Sequence, residues 1–222
     1  NSIDAKATEI DIMIRDGGKS EIIVADNGEG IFKKDLELSL KRHATSKLSE
    51  NHLNNVDFLG FRGEALPSIA SISNLKIESF KYKGDEGWGI NVNNNKISDI
   101  FPSSRILGTK VSVFDLFKLV PARLKFLKGN QGENFHSQQV VKRLALSNYN
   151  IAFKLKIDER VALDLPKADN PSEALEKRIL DILGKEFLEN SIKLKNQKFF
   201  GEHPILINAY IGLPTLNKAN HS

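Results

Sequence analysis

Asp26-Asn27-Gly28-Glu29-Gly30-Ile31 directly follows the apolar run Glu21-Ile22-Ile23-Val24-Ala25. A carboxylate and two glycines at the end of a buried strand add little to packing. They hold one hydrogen-bond acceptor rigidly, and they let bare backbone come close to a ligand. Asp-Asn-Gly is also strong turn chemistry, so an ordinary hairpin turn is the alternative interpretation.

The spacing of this motif excludes several common ligand sites. An EF-hand needs oxygen ligands where Gly28 and Gly30 stand, and a helix should precede it. The glycine spacing does not fit a Rossmann loop, and the chain contains no GxxxxGK[ST] phosphate loop. If this motif binds a nucleotide, the binding site is therefore of a type other than a Rossmann or GxxxxGK[ST] loop.

The composition is that of an ordinary globular protein, with 40% hydrophobic and 27% charged residues among 222. No apolar run approaches the roughly 20 residues of a membrane helix, and no secretory leader pattern is present. The absence of cysteine excludes disulfides, cysteine-ligated zinc and thiol catalysis, and it favours an intracellular location. The chain starts at Asn1 and ends in a polar stretch, which predicts that both termini are cuts.

The residues before the motif predict a hairpin that leads into Asp26. Residues 8–15 alternate apolar and polar, as a half-buried strand does, and residues 20–25 form a second strand after a glycine turn. Residues 1–7 have the composition of the last turns of a helix.

Hydrophobic periodicity in the rest of the chain predicts an α+β protein. It predicts further strands at 75–82, 89–92, 96–100, 109–114, 151–157, 161–165, 192–200 and 205–211. It predicts helices at 32–41, 65–72, 133–146 and 172–183, the third amphipathic through Val140, Val141, Leu144 and Ala145. Two prolines in residues 165–171 predict a linker, so the expected domains are 1–167 and the beginning of a second at 168–222.

Two further stretches have both a functional and an ordinary interpretation. In Gly60-Phe61-Arg62-Gly63-Glu64-Ala65-Leu66, two glycines flank an arginine at the entry to an apolar helix, which suits an anion-binding loop. Arg62 as a solvated loop residue is the alternative. The lone His43 has no ligand partner at i+4 and is assigned no catalysis.

Basic residues exceed acidic ones between residues 115 and 160. Such an excess is typical of a solvated face, and equally of sequence-independent contact with phosphates. The nine basic residues are Lys118, Arg123, Lys125, Lys128, Lys142, Arg143, Lys154, Lys156 and Arg160, against the acids Asp115, Glu133, Asp158 and Glu159.

Taken in order, the motifs resemble the MutL family of DNA mismatch repair ATPases. The matching stretches are Asn1-Ser2-Ile3-Asp4-Ala5, the Asp26 motif, Arg42-His43-Ala44-Thr45-Ser46-Lys47, the Gly60 loop, Gly108-Thr109, and the run from Asp115 through Pro121-Ala122-Arg123-Leu124-Lys125-Phe126-Leu127. The Asp26 motif is shared with the wider gyrase, Hsp90 and histidine kinase superfamily. The resemblance implies a layered α/β sandwich followed by a ribosomal-S5-like α+β domain, of which the likeness is weaker.

The resemblance also implies roles for individual residues. Asp26 accepts a hydrogen bond from the adenine amine, Gly28 and Gly30 let backbone and water approach the base, and Thr109 completes that contact. Asn1 ligates Mg²⁺. The phosphates are covered by a lid, and DNA is bound by part of the basic segment. The lid residues are Thr45, Ser46, Lys47, Gly60, Phe61, Arg62 and Gly63, and the DNA-binding residues are Arg123, Lys125, Lys128, Lys142 and Arg143.

The implied function is a mismatch repair ATPase with ATP and Mg²⁺ as cofactors. ATP binding closes the lid and favours self-dimerisation around DNA, linking a MutS-like recognition protein to a downstream endonuclease or helicase. The location is cytoplasmic and nucleoid-associated if the protein is bacterial, nuclear or organellar if not. The alternatives are a topoisomerase subunit of the same superfamily and a non-enzymatic DNA-binding module.

Three departures from the family pattern bear on catalysis. The general base is a Glu four residues before Asn1, and the Lys that reaches the γ-phosphate comes from beyond Ser222, so both lie outside these residues. Leu119 stands where the family usually has Asn. We therefore expect the 222 residues alone to bind nucleotide weakly and to hydrolyse it negligibly.

Overall fold

The computed structural model describes residues 1–42, 60, 63–81, 86–168, 170, 173–200 and 203–216. The strands of this part of the chain are β1 (Glu9–Arg15), β2 (Glu21–Asp26), β3 (Asn74–Phe80), β4 (Gly87–Asn93), β5 (Lys96–Ile97), β6 (Phe101–Ser103), β7 (Gly108–Phe114), β8 (Ala152–Ile157), β9 (Arg160–Leu165), β10 (Ser191–Phe200) and β11 (His203–Gly212). The helices are α1 (Lys33–Leu36), α2 (Ala65–Ala70), α3 (Pro121–Leu124), α4 (Asn130–Ser147), α5 (Ala174–Leu183) and α6 (Lys185–Glu189), with 3-10 turns at Asp16–Gly18 and Leu38–Leu40.

Nine strands form one mixed sheet in the order β5-β4-β3-β7-β2-β1-β8-β9, with β6 paired to β4. Neighbours are antiparallel except β1 and β8, which are parallel. The strands β10 and β11 pair only with each other among the described residues. Helices pack against the large sheet, so the predicted α+β layered architecture is confirmed. None of the helices described has both the length and the apolar character of a membrane span.

The predicted hairpin is present as β1 and β2. Ile10 and Ile14 of β1 are buried, as the alternating pattern requires. The register pairs Ile10 with Asp26, which places the carboxylate at the end of β2 beside the start of β1. The hydrophobic pattern of β1 therefore fixes where Asp26 lies.

Two apolar clusters hold the helices to the sheet. One joins α4 to β1, β8 and β9 through Val141, Ala145 and Phe153. The other joins α2 and the residues 33–40 to β3, β4 and β7 through Leu36 and Ile77. The candidate site described below lies at the end of β2 and the start of β7.

Several predicted elements differ in detail from the structure. Residues 32–41 form α1 and a 3-10 turn instead of one helix, β5 ends at Ile97, and β6, α3 and α6 were not predicted. In α4, Val141 and Ala145 are buried, but Val140 is 55% and Leu144 36% exposed, so half of the predicted apolar stripe is wrong. Consecutive helical residues project about 100° apart, and only one of each pair faces the sheet.

Arg178 of α5 is a buried arginine, with 1% of its surface exposed. Its guanidinium donates to the carbonyl oxygens of Ala145 (3.1 Å), Ile151 (2.9 Å) and Pro166 (3.1 Å). Burial lowers the pKa of Arg178 from its ordinary value. One cation thus ties α5 to the end of α4, the start of β8 and the segment after β9.

The other side of α5 contacts the β10–β11 hairpin. Tyr210 donates to Oε1 of Glu176 at 2.7 Å, and Lys193 forms an ion pair with the same oxygen. The hydrogen bond to Glu176 raises the pKa of Lys193 to about 12. The division of the chain at residues 167 and 168 stays a prediction.

Replacing Arg178 with Met should destabilise the folded chain by about 3 kcal/mol, because three buried carbonyl groups lose a charged donor. Lys177→Met is the matched control, since Lys177 is the exposed neighbour in the same helix. Urea unfolding followed by circular dichroism measures both. Equal unfolding free energies for the two variants would show that the Arg178 contacts do not hold α5.

Candidate functional site

Asp26 ends β2 with only 7% of its surface exposed. Its Oδ1 accepts hydrogen bonds from the backbone N–H groups of Gly28 (2.9 Å) and Thr109 (3.2 Å). Its Oδ2 accepts one from the Ser2 hydroxyl at 2.7 Å. An ionised carboxylate has about four acceptor positions, so one position on Oδ2 has no donor among the residues that the structure describes.

The Asp26 motif is not a hairpin turn. The strand β2 pairs with β1 and β7, whereas β3, the next strand along the chain, pairs with β4 and β7. The ordinary interpretation of Asp-Asn-Gly is therefore wrong here. Asn27 instead joins the start of β1, where its Oδ1 accepts the backbone N–H of Thr8 (2.8 Å) and Glu9 (3.0 Å).

The first five residues form a turn that contacts two parts of the candidate site. Ser2 reaches Asp26, while Oδ2 of Asp4 accepts the backbone N–H of Gly60 at 3.0 Å. The carbonyl of Ala5 accepts the N–H of Glu29 at 2.9 Å. Asn1, the predicted Mg²⁺ ligand, is exposed at the start of this turn, and its carbonyl accepts the N–H of Ala5. This one turn therefore contacts the residue predicted to bind the base and the first residue of the predicted lid loop, and it contains the predicted Mg²⁺ ligand.

The two glycines of the motif have a packing explanation. Gly30 has φ +72°, and a Cβ there would lie 2.0 Å from the carbonyl oxygen of Phe80. A Cβ on Gly28 would lie 2.6 Å from the carbonyl oxygen of Ala5. The motif predicted that the backbone at these glycines comes close to a ligand. In the structure, it comes close to the backbone of neighbouring residues. The role of both glycines beside a base stays a prediction.

Thr109 lies at the start of β7 next to Asp26 and forms a buried pair with Ser79 of β3. The two hydroxyl oxygens are 2.8 Å apart, and Ser79 also accepts the backbone N–H of Ile31 at 2.8 Å. Ser79 thus joins the residues after the Asp26 motif to the start of β7. Arg105 adds a further contact by donating to the backbone carbonyl of Asp26 at 2.6 Å.

Three of these contacts were missed in the sequence. Ser79 had a signal, because it occupies the third buried position of β3 after Leu75 and Ile77, where an apolar side chain is expected. Ser2 belongs to the family-like stretch of residues 1–5 but was assigned no role, and Arg105 carried no signal; each reaches Asp26 from a distant part of the chain.

The predicted lid is described only in part. Gly60 is held by Asp4, and Gly63 has φ +62° just before α2. Thr45, Ser46, Lys47, Phe61 and Arg62 lie outside the described residues.

Charged side chains lie on the surface near the motif. Glu29 forms ion pairs with Lys6 and Lys81 at 3.1 Å each. Hydrogen bonds from these two lysines lower the pKa of Glu29. Within the described ranges, no group of three or more His, Cys, Asp or Glu side chains is arranged to hold a metal ion. A cation here would need oxygen ligands from a bound phosphate group, as Mg²⁺ commonly has.

The five residues predicted to bind DNA lie on and around α3 and α4. Arg123, Lys125 and Lys128 are exposed within eight residues of one another, and Lys128 contacts His136 at 2.8 Å. Lys142 and Arg143 are consecutive on α4 and project about 100° apart. None of the five forms an ion pair with an acidic residue in the described part of the chain.

Residues 1–112 match the model of the histidine kinase-, DNA gyrase B-, and HSP90-like ATPases. The DNA mismatch repair protein MutL of Agrobacterium fabrum is 41% identical over the whole chain, and that of Paramagnetospirillum magneticum is 40% identical over 99% of it. The chain spans about a third of the length of these curated relatives, 35% and 36%.

Solved structures give the same result. The Aquifex aeolicus MutL ATPase domain complexed with ADP superposes with a TM-score of 0.69 at 31% identity, over 88% of this chain and 68% of that one. The ATPase domain from the bacterial mismatch repair endonuclease Aquifex aeolicus MutL superposes with a TM-score of 0.66 at 26% identity, over 100% of this chain and 70% of that one.

Replacing Gly30 with Ala should destabilise the fold by about 2 kcal/mol or more, because the new methyl group meets the Phe80 carbonyl at a positive φ. Gly129→Ala is the matched control, since a Cβ at that position meets nothing within 4 Å. Thermal unfolding of the two variants makes the comparison. A Gly30→Ala variant as stable as the control would contradict the close packing of the motif against β3.

Proposed function

The chain belongs to the MutL family of DNA mismatch repair proteins, and on that premise we propose that it binds ATP with the adenine amine on Asp26. The observation that carries the proposal is the Asp26 carboxylate, which is buried, held by three protein donors and left with one acceptor position. Among the alternatives, a topoisomerase subunit is not favoured, because the relatives named above are MutL proteins.

A carboxylate in this setting selects the base by its hydrogen-bonding edge. The exocyclic amine of adenine donates, so it completes the acceptor set of Asp26. A base with a carbonyl at that position brings two acceptors together and leaves the remaining acceptor position of Asp26 without a donor. Thr109, whose backbone N–H donates to Asp26 and whose hydroxyl pairs with Ser79, is proposed to contact the neighbouring ring atoms.

The phosphate end of the site is proposed to lie at the Asn1 turn and the Gly60 loop. The Asn1 side-chain oxygen suits Mg²⁺, whose other ligands in such sites come from phosphates and water. The contact between Asp4 and Gly60 supports this placement, because it holds Gly60 against the turn that contains Asn1. Thr45, Ser46, Lys47, Phe61, Arg62 and Gly63 are proposed to complete the phosphate lid.

Hydrolysis requires an activated water and hence a general base. The family pattern expects that base to be a Glu four residues before Asn1, and we assign the role to no residue of this chain.

In the whole protein, the proposed cycle couples ATP to repair. Lid closure favours pairing of two ATPase domains around DNA, and hydrolysis resets them. The proposed partners are DNA, a MutS-like recognition protein and a downstream endonuclease or helicase. The relatives named above are bacterial, so the proposed location is the cytoplasm, next to the chromosome.

Asp26→Asn in the intact protein should lower ATP affinity about tenfold or more, because an amide N–H replaces an acceptor opposite the adenine amine. Asp164→Asn is the matched control, since Asp164 is an exposed carboxylate of β9 that pairs with Lys154. Isothermal titration with a slowly hydrolysed ATP analogue and Mg²⁺ measures the affinities. An unchanged ATP affinity of Asp26→Asn would show that Asp26 does not contact the base.

Arg123→Glu should weaken binding to unrelated DNA sequences alike and reduce the salt dependence of binding, because phosphate contacts carry no sequence information. Lys118→Glu changes the net charge equally, but Lys118 is already paired with Asp115, so it should weaken binding less. Fluorescence anisotropy at several salt concentrations gives both values. An unchanged DNA affinity of Arg123→Glu at low salt would indicate that these residues form a solvated face and do not bind DNA.

A further inference from the structure

Ser2 makes the only side-chain hydrogen bond to the Asp26 carboxylate within the described residues. The two donors to Oδ1 are backbone N–H groups of Gly28 and Thr109, which the path of the chain holds in place. The donor to Oδ2 is the Ser2 hydroxyl at 2.7 Å. Because an ionised carboxylate only accepts, the Ser2 proton must lie on this bond.

This arrangement leaves one lone pair of Oδ2 as the remaining acceptor of the carboxylate. The side-chain torsion that turns an Asp carboxylate is broad, so each donor restricts its rotation, and Ser2 is the donor that does so from Oδ2. The hydroxyl of Ser2 occupies one lone pair of Oδ2 and leaves the other lone pair of that oxygen for a further donor.

We propose that Ser2 is a positioning residue for base selection, which holds Oδ2 of Asp26 in the orientation that receives the exocyclic amine of adenine. This inference rests on the proposed function of Asp26. Ser2 acts through the carboxylate, and it follows directly on Asn1, the proposed Mg²⁺ ligand. One turn of chain thereby places both the base-selecting and the metal-binding groups.

A purely structural role would be to attach the first five residues to β2. Other bonds already do so: the Ala5 carbonyl accepts the Glu29 N–H at 2.9 Å, and Asp4 accepts the Gly60 N–H at 3.0 Å. Removing the Ser2 hydroxyl therefore leaves the turn attached while it frees Oδ2. The two roles differ in what they do to base selectivity.

The test compares ATP with purine riboside triphosphate, which has the same ring and phosphates but lacks the amine. Affinities of both for the intact protein are measured with Mg²⁺, for wild type and Ser2→Ala. We expect Ser2→Ala to lower ATP affinity about five- to tenfold and to leave the affinity for the amine-free analogue nearly unchanged. Ser2→Thr, which keeps the hydroxyl, should preserve the wild-type ratio. Ser147→Ala removes a hydroxyl that donates within α4 and should change neither affinity.

The outcomes separate the inference from the function on which it rests. If Ser2→Ala lowers both affinities equally, or leaves the ratio as in wild type, Ser2 does not position the carboxylate. If wild type itself fails to prefer ATP over the amine-free analogue, the proposed contact between Asp26 and the amine fails as well. Should Ser2→Ala not fold, as judged by thermal unfolding, Ser2→Cys provides a weaker donor of similar size, for which a lowered ATP preference is expected and an unchanged one overturns the proposal.

Discussion

The Asp26 carboxylate is the interaction on which the candidate site depends. Its three donors come from the first turn of the chain, from the loop after β2 and from the start of β7. They converge because β2 lies between β1 and β7 in the sheet. A slip of one residue in either pairing would turn Asp26 to the opposite face, so the register of apolar residues in β1 and β7 sets the position of the acceptor.

The same convergence explains which parts of the site were predictable from sequence. The Asp26 motif, the strand pattern of β1 and the two glycines are local signals, and the structure places them together. Ser2 and Arg105 are 24 and 79 residues from Asp26, and nothing local in their sequence marks the contact. Pairings over such distances follow from sheet order, which periodicity alone does not determine.

Arg178 shows a second limit of sequence reasoning. Arginine is rarely buried, so its position in an amphipathic helix predicts an exposed side chain. Its burial is stabilised by backbone carbonyls of three separate segments, and they become neighbours only after α4, β8 and β9 have packed. With Glu176 bound to the β10–β11 hairpin, α5 is held by polar contacts on both sides. The family pattern names the ATP site, whereas these contacts concern how the rest of the chain is attached to it.

The most direct test of the account is the position of adenine in a crystal structure of the intact protein with Mg²⁺ and a non-hydrolysable ATP analogue. If Asp26 selects the base, the exocyclic amine nitrogen will lie at hydrogen-bonding distance, about 2.7–3.2 Å, from Oδ2 of Asp26, with the Ser2 hydroxyl still on the same oxygen. An adenine whose amine faces away from Asp26, or one bound elsewhere on the protein, would contradict it.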